Sequence, residues 1–206
     1  QIHDIELYQP IDKLEVRTWP IVRNCKDRFE MMKRFLQKIA VKKGRMIDFA
    51  CSYGWFPFNF KKLGFSVFGI DKDEKAIEIS RFVYGLNENE TKVKKIEKFF
   101  LENNKKYDIV LFLSILHHYA IGKERGKVKE ILRNIDKITD KVLFLDTGQS
   151  HEKWNRKRLV GWDDKYIINL IKANTNFKRV ITLGKDVDNR GKYKEDYKRT
   201  LFACIK

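Results

Sequence analysis

The sequence lacks several features that would point to particular classes of protein. Its only three cysteines, Cys25, Cys51 and Cys204, form no CxxC pair, which argues against a disulfide framework and against a zinc module. No apolar run is long enough to span a bilayer, and the first residues show no signal-peptide pattern. We therefore expect a protein of the reducing cytoplasm that has no membrane segment.

Acidic residues are scarce relative to basic ones. The chain has 28 aspartates and glutamates against 44 lysines and arginines, and its formal net charge is +16. A solvated surface rich in lysine and glutamate is the simplest explanation of so many charges. The excess of positive charge nevertheless favours anionic partners such as nucleic acid, phosphosugars or an acidic membrane surface.

The chain also lacks internal repeats, low-complexity segments and linkers rich in proline and glycine. Its 206 residues therefore suit one domain with a terminal appendage. Residues 1–23 form an irregular segment, because Pro10 and Pro20 disfavour a helix there. We expect residues 24–206 to be the domain and residues 1–23 to be a lid over it.

Strand and helix patterns alternate along residues 24–206. Seven stretches of strand length are present, of which the third is only a weak strand: RMIDFA, FSVFGI, TKVKKI, YDIVLFLSIL, KVLFLDT, FKRVITLG and RTLFACIK. Helical patterns separate most of them, and this alternation predicts an α/β fold with a doubly wound, mostly parallel, seven-stranded sheet. No helical pattern separates the last two runs, so they are expected to pair as an antiparallel hairpin.

The turn DFACSYG, residues 48–54, follows the first strand. In a doubly wound sheet such a turn faces the ligand, and Asp71 at the end of the next strand suits the hydroxyls of a ribose. A nicotinamide dinucleotide needs a loop of the type GxGxxG for its pyrophosphate, whereas this loop has one glycine and begins with an acidic residue. S-adenosylmethionine carries an ammonium and a sulfonium, which an aspartate favours. A helix cap at Asp48 and a simple turn residue at Asp71 are the structural alternatives.

The order of IDFACSYGWFPF, VFGIDKDEKAI, YDIVLFLSILHHY, KVLFLDT and the final hairpin resembles the class I S-adenosylmethionine-dependent methyltransferases over residues 24–206. The resemblance implies their Rossmann-like fold and their cofactor. It also implies that ten residues bind this cofactor: Asp48, Ala50, Cys51, Gly54, Asp71, Lys72, Ile96, Glu97, Leu113 and Ser114. Ala50 stands where a glycine is common in the family.

Two adjacent histidines, His117 and His118, follow the fourth strand and would lie where an acceptor binds. Histidine titrates near neutral pH, so either one is a candidate catalytic base or acceptor ligand. The alternative is that one is buried and hydrogen-bonded while the other faces solvent. No ligand spacing supports a metal site formed with a cysteine, and no metal is expected.

The segments YQPI, RNCKDRF, LSILHHY and HEKW resemble a narrower subgroup of methyltransferases, which modifies saccharide phosphates and wobble uridines of tRNA. This resemblance implies an anionic acceptor. Arginine suits phosphate because its fork binds two oxygens. The predicted acceptor-binding residues are Tyr8, Arg17, Arg23, Arg28, His151, Glu152 and Trp154.

The favoured prediction is therefore a methyltransferase that acts on a small anionic acceptor, phosphorylated or sugar-containing. An RNA (tRNA) methyltransferase is the first alternative. A non-catalytic, basic RNA-binding module on the same fold is the second, although the aromatic residues do not form the stacking surface of single-strand binders. A nucleotide-dependent oxidoreductase is disfavoured by the poor phosphate loop.

Overall fold

The computed structural model describes residues 7–11, 19–122, 126–187 and 197–206. Seven strands and seven helices lie in these ranges. The helices are α1 (Lys26–Lys38), α2 (Trp55–Lys62), α3 (Glu74–Tyr84), α4 (Ile96–Glu102), α5 (His118–Ile121), α6 (Val128–Ile138) and α7 (Asp164–Asn174). The strands are β1 (Arg45–Phe49), β2 (Ser66–Asp71), β3 (Thr91–Val93), β4 (Tyr107–Leu113), β5 (Thr139–Asp146), β6 (Arg179–Lys185) and β7 (Thr200–Ile205).

The strands form one sheet in the order β3-β2-β1-β4-β5-β7-β6. β1 pairs in parallel with β2 on one side and with β4 on the other, so the strand order reverses at β1. β7 pairs antiparallel with both β5 and β6. The predicted α/β sheet with an antiparallel end is thus confirmed. The sequence did not indicate that β7 lies between β5 and β6.

Alternation along the strands divides the core into two layers, one on each face of the sheet. Ile47 and Phe49 of β1 belong to the layer that includes α6 and α7, whereas Met46 belongs to the layer under α1 and α2. Successive side chains of a strand point to opposite faces, which explains the division. Asp48 shares the face of Met46 and therefore points toward α1.

β4 ends earlier than the apolar run that predicted it. The strand stops at Leu113 because Ser114 adopts a positive φ of 61°, which turns the chain out of the sheet. A short helix, α5, then begins at His118 and was not expected from the sequence. No helix in the described ranges is long and apolar enough to cross a membrane.

Gly69 lies in β2 directly beneath the loop that follows β1. A Cβ atom there would lie 2.8 Å from Cys51 Sγ and 3.2 Å from Pro57 Cγ, both closer than ordinary contact. Gly69 pairs with Asp48 of β1 and Thr91 of β3, so the backbone has little freedom to move away. The absence of a side chain at this position lets the loop pack on the sheet.

Gly69→Ala is therefore expected to lower the free energy of unfolding by about 1–3 kcal/mol, the usual cost of overpacking a core. Cys51→Ala removes the sulfur atom in contact, so the double variant should lose less stability than the sum of the two single variants. Denaturant unfolding of all four proteins measures this coupling. Strict additivity would show that the Cys51 contact is not the cause.

Candidate active site

The loops after β1, β2, β4 and β5 converge at one edge of the sheet. Parallel strands bring their carboxyl ends to this edge, and the strand order reverses between β2–β1 and β4. Ligands of open α/β sheets bind outside such a reversal point. The candidate site therefore lies over the end of β1, where the sequence predicted it.

The loop after β1 has a backbone shape that normally requires glycine. Ala50 and Ser52 adopt φ values of 52° and 51°, and Gly54 has φ of 77°. A Cβ atom on Gly54 would also lie 2.8 Å from Leu86 Cδ1. Side chains other than glycine cost about 1–2 kcal/mol in this left-handed region. Strained backbone of this kind concentrates at functional sites.

The carboxylate of Asp71, at the end of β2, holds this loop in place. Its Oδ2 accepts a hydrogen bond of 2.8 Å from the N–H of Ser52, and its Oδ1 accepts one of 3.0 Å from the N–H of Asp73. The side chain is half-buried. The adjacent Lys72 is exposed.

Asp48 is the buried acidic group beneath the same loop. It is 3% exposed, and within the described residues no donor contacts its Oδ2 atom. Burial raises the pKa of Asp48 well above its ordinary value, and the nearby Asp71 raises it further, whereas Arg28 opposes the rise. A buried carboxylate oxygen that accepts no hydrogen bond raises the free energy of the folded protein, unless a cationic group of a ligand binds to it. This atom fits the cationic methionine end of S-adenosylmethionine.

Four other predicted cofactor residues line the same edge. Cys51 is fully buried under the loop, and burial raises the pKa of its thiol well above the ordinary value, so it stays protonated. Leu113 is buried at the end of β4. Ile96 and Glu97 begin α4 and are half-buried, and Glu97 Oε1 accepts a hydrogen bond of 2.7 Å from the hydroxyl of Tyr119.

Ser114 is fixed by Asp146, a residue that was not predicted to belong to the site. Asp146 Oδ1 accepts hydrogen bonds from the backbone N–H of Ser114 at 2.7 Å and from its hydroxyl at 2.9 Å. Asp146 Oδ2 accepts one from Arg28 Nη1 at 3.0 Å. Burial alone would raise the pKa of Asp146, but Arg28, Arg23 and Arg199 together lower it to about 2. Asp146 is therefore charged at neutral pH.

The two histidines occupy different environments. His117 is buried, and its Nδ1 accepts a hydrogen bond of 3.0 Å from the backbone N–H of Gly148. Because that N–H can only donate, the neutral ring of His117 carries its proton on Nε2. Burial, with repulsion from Arg199 and His118, lowers the pKa of His117 to about 2.

His118 is exposed and begins α5, with its ring centre 4.2 Å from that of His117. Partial desolvation, with repulsion from Arg199 and Lys72, lowers the pKa of His118 below the ordinary value of 6.5. His118 is thus neutral at pH 7 and accessible. Of the two histidines, it has the environment of a group that can accept a proton from a bound molecule.

Three of the seven residues predicted to bind the acceptor form part of a buried charged network. Arg23 is paired with Asp186, and Arg28 with Asp146. Glu152 binds Arg199 through two hydrogen bonds of 2.8 Å each. All six side chains of these three pairs are almost fully buried. The pairs join the segment before α1, the loop after β5 and the loop before β7.

The remaining predicted acceptor residues lie at the surface of this network. Tyr8 is 39% exposed, and its carbonyl oxygen accepts a hydrogen bond of 3.0 Å from the N–H of Arg23. His151 Nε2 lies 2.6 Å from the carbonyl oxygen of Tyr197, and the ring of Trp154 packs edge-on against that of Tyr197. Arg17 lies outside the described residues.

Sequence reasoning missed Asp146, Asp186 and Arg199. Asp146 ends β5 just as Asp48 and Asp71 lie at the ends of β1 and β2, so the same strand-end rule could have found it. Asp186 and Arg199 gave no local signal, because their partners Arg23 and Glu152 are 163 and 47 positions away. The role of each predicted residue in binding or catalysis stays a prediction.

Comparison with known proteins places this geometry in a family. A family model described as a methyltransferase domain matches residues 26–171, well over half of the chain. The O-antigen chain terminator bifunctional methyltransferase/kinase WbdD of Escherichia coli is 25% identical over 147 residues, which make up 68% of this chain and 21% of that protein. The ubiquinone biosynthesis O-methyltransferase of Pelagibacter ubique is 31% identical over 78 residues, 38% of this chain and 32% of that protein.

Solved structures show the same fold. A crystal structure of WbdD superposes with a TM-score of 0.77 at 19% identity, covering 97% of this chain and 44% of that chain. Magnesium protoporphyrin IX methyltransferase from Synechocystis PCC 6803, solved with bound SAM, gives a TM-score of 0.61 at 18% identity, covering 87% of this chain and 79% of that one.

The chain thus spans about a fifth of the length of WbdD and about a third of the length of the ubiquinone enzyme. The predicted class of enzyme is confirmed at the level of the family, and the solved structures confirm the predicted fold. The chain belongs to the methyltransferase-domain family and has the fold of the class I S-adenosylmethionine-dependent methyltransferases.

Proposed function

We propose that this chain transfers a methyl group from S-adenosylmethionine to a small anionic acceptor, a phosphorylated or sugar-containing molecule. The observation that carries the proposal is the buried Asp48 carboxylate, whose Oδ2 has no donor within the described residues, beneath the strained loop at the end of β1. A cationic ligand that contacts this loop would satisfy the buried carboxylate. A pyrophosphate would be repelled there.

Asp48 and Asp71 would hold opposite ends of the cofactor. Asp48 would neutralise the ammonium of its methionine part, and the half-buried Asp71 would accept hydrogen bonds from its ribose hydroxyls. The bound cofactor supplies an electrophilic methyl group on its sulfonium. Ser114, fixed by Asp146, would close the site below that methyl group, and the other predicted cofactor residues would contribute mainly backbone contacts.

An anionic acceptor is supported by the charges at the mouth of the site. Lys72 is exposed there, and it is close enough to His118 to contribute to the lowered pKa of that ring. The carboxylates of Asp146, Asp186 and Glu152 are buried and paired with arginines, so they do not repel an anion. The name of the relative WbdD, an O-antigen chain terminator, agrees with a sugar-containing acceptor.

A hydroxyl acceptor must lose a proton as it is methylated, and His118 is the group proposed to receive it. Alignment of acceptor oxygen, methyl and sulfur supplies most of the rate in such an in-line displacement. A base contributes a further factor of about 10²–10⁴. His117 would act indirectly, because its Nδ1 is occupied by Gly148 N–H and its ring packs against His118.

Residues 1–23 are proposed to form a lid at the acceptor side. Their described parts pair with each other, since the N–H of Leu7 donates to Pro20 O and that of Val22 donates to Leu7 O, both at 2.8 Å. The hydroxyl of Tyr84 in α3 donates to the carbonyl oxygen of Pro10. These bonds hold Pro10 against α3 and Leu7 against the residues just before Arg23.

Asp71→Asn is expected to weaken S-adenosylmethionine binding by about 1.5–3 kcal/mol, the usual contribution of a hydrogen bond to a charged group. Isothermal titration with the cofactor measures the change. Asp140→Asn is the matched control, because Asp140 is exposed at the opposite end of the sheet and should leave the affinity unaltered. Equal affinities of the two variants for S-adenosylmethionine would show that Asp71 does not bind the cofactor.

The pH dependence of turnover tests the role of His118. A base must be unprotonated, so activity should fall as the pH falls through the pKa of His118, which lies below 6.5. His118→Gln should slow turnover by about 10²–10⁴ and remove this acid limb, with cofactor affinity kept. The acceptor for this measurement comes from a labelled-methyl screen of phosphosugars, tRNA and small metabolites.

His117→Gln is the comparison for that experiment. With a pKa of about 2, His117 stays neutral above about pH 3 and produces no limb in that range. The limb should therefore persist in His117→Gln, even where turnover is reduced. An unchanged acid limb in His118→Gln would assign the titrating group elsewhere.

The salt dependence of acceptor affinity separates a small acceptor from RNA, the alternative that the net charge of +16 favours. A single-stranded polynucleotide releases counterions, and its log–log slope is roughly −0.7 per phosphate contacted. A small phosphorylated acceptor touches few cations, so we expect a slope shallower than about −3. A steeper slope would make the chain an RNA methyltransferase. Absence of turnover together with RNA binding would support the non-catalytic module.

A further inference from the structure

A basic turn follows β5 at the mouth of the site. Residues 153–158 contain four cations, Lys153, Arg156, Lys157 and Arg158, and all four are exposed. The same stretch has no acidic residue, and the preceding Glu152 is buried and bound to Arg199. The four cations of this turn have no role in the proposed binding of the cofactor or in the proposed proton transfer.

The turn is built in the manner of a short helix. The N–H groups of Arg156 and Leu159 donate to the carbonyl oxygens of Glu152 and Asn155, at 2.9 and 2.7 Å. Glu152, Asn155 and Leu159 are buried, which places their side chains inward. Positions three and four apart are neighbours on such a surface, so Lys153, Arg156 and Lys157 share the outward face.

Contacts place the turn beside the short helix that begins at His118. Arg158 Nη2 donates to the carbonyl oxygen of Ile121, the last residue of α5, which begins at His118. Gly148, in the segment that leads to the turn, donates to His117. Trp154, 38% exposed, lies on the turn between Lys153 and the other cations.

Three neighbouring cations on one face repel each other, and this repulsion opposes the folded turn. The turn is anchored on its inward side through Glu152 and Asn155. The spacing of the three cations suits an anion with more than one phosphate group, because the oxygens of each phosphate can accept charge-assisted hydrogen bonds.

We infer that the face formed by Lys153, Arg156 and Lys157 binds adjacent phosphate groups of the acceptor, as in a sugar diphosphate. The inference rests on the proposed function, because it assigns to the same acceptor a polyphosphate portion that extends from the site along this turn. It narrows the acceptor from any small anion to one that carries linked phosphates.

Titration calorimetry with inorganic pyrophosphate and inorganic phosphate at low salt tests the inference. The unaltered chain should bind pyrophosphate at least about fivefold more tightly than phosphate, because two linked phosphates contact more of the face. Arg156→Gln/Lys157→Gln should raise the Kd for pyrophosphate by about tenfold, the summed effect of two exposed charge contacts.

Lys42→Gln/Lys43→Gln is the matched control. It removes the same charge from two exposed residues before β1, at the opposite edge of the sheet, and should leave the Kd for pyrophosphate unchanged. An equal loss in both variants, an unaltered Kd in Arg156→Gln/Lys157→Gln, or no binding by the unaltered chain would overturn the inference. Equal affinity for phosphate and pyrophosphate would overturn it as well.

S-adenosylmethionine affinity is measured in the same proteins and separates this inference from the proposed function. Cofactor binding at unchanged affinity in Arg156→Gln/Lys157→Gln shows that the variant is folded. Loss of pyrophosphate binding there supports the inference. A chain that binds the cofactor but not pyrophosphate contradicts the inference alone, whereas a chain that does not bind the cofactor contradicts the proposed function.

Discussion

The carboxylate of Asp146 connects three parts of the chain that lie far apart in sequence. It accepts two hydrogen bonds from Ser114 at the end of β4 and one from Arg28 in α1, while its own backbone ends β5. Loss of one partner of such a buried pair typically costs about 3–5 kcal/mol, because a charge is left uncompensated. The position of Ser114, the shape of the turn before His117 and the placement of Arg28 of α1 against the end of β5 all depend on this group. The part of the candidate site around Ser114 and His117 therefore depends on Asp146.

A second constraint concerns the loop after β1. Ala50 and Ser52 hold a left-handed backbone that would be relaxed with glycine, and Asp71 keeps them there by accepting the N–H of Ser52. Asp48 lies below without a donor to its Oδ2 among the described residues. Strain above and an unsatisfied carboxylate below both raise the free energy of the ligand-free state. A cation that binds here relieves the second of these terms, so part of the affinity for the cofactor is already built into the protein.

The fold and the cofactor side followed from the sequence because their signals are local. Apolar runs of strand length gave the sheet, and aspartates at two successive strand ends gave the position of Asp48 and Asp71. The acceptor side was harder to predict, because its geometry comes from pairs such as Arg23 with Asp186 and Arg199 with Glu152. Nothing in the sequence around one partner of such a pair indicates which residue is the other partner. The early end of β4 also escaped prediction, since it depends on the conformation of Ser114 and not on hydrophobicity.

The same pairs change how the positive charge of the chain should be understood. Arg23 and Arg28 were predicted to bind an anion, but each of them, like Arg199, is buried against a carboxylate, so the three pairs together carry no net charge. Buried ion pairs add little net stability relative to apolar packing, and their main effect here is to fix orientation. Under the proposed function, attraction of an anionic acceptor would fall to exposed cations around the mouth, such as Lys72 and the basic turn after β5. Alignment for methyl transfer would fall to the buried network, whose charges are already paired. Exposed cations could then differ without disturbing the geometry that the transfer requires.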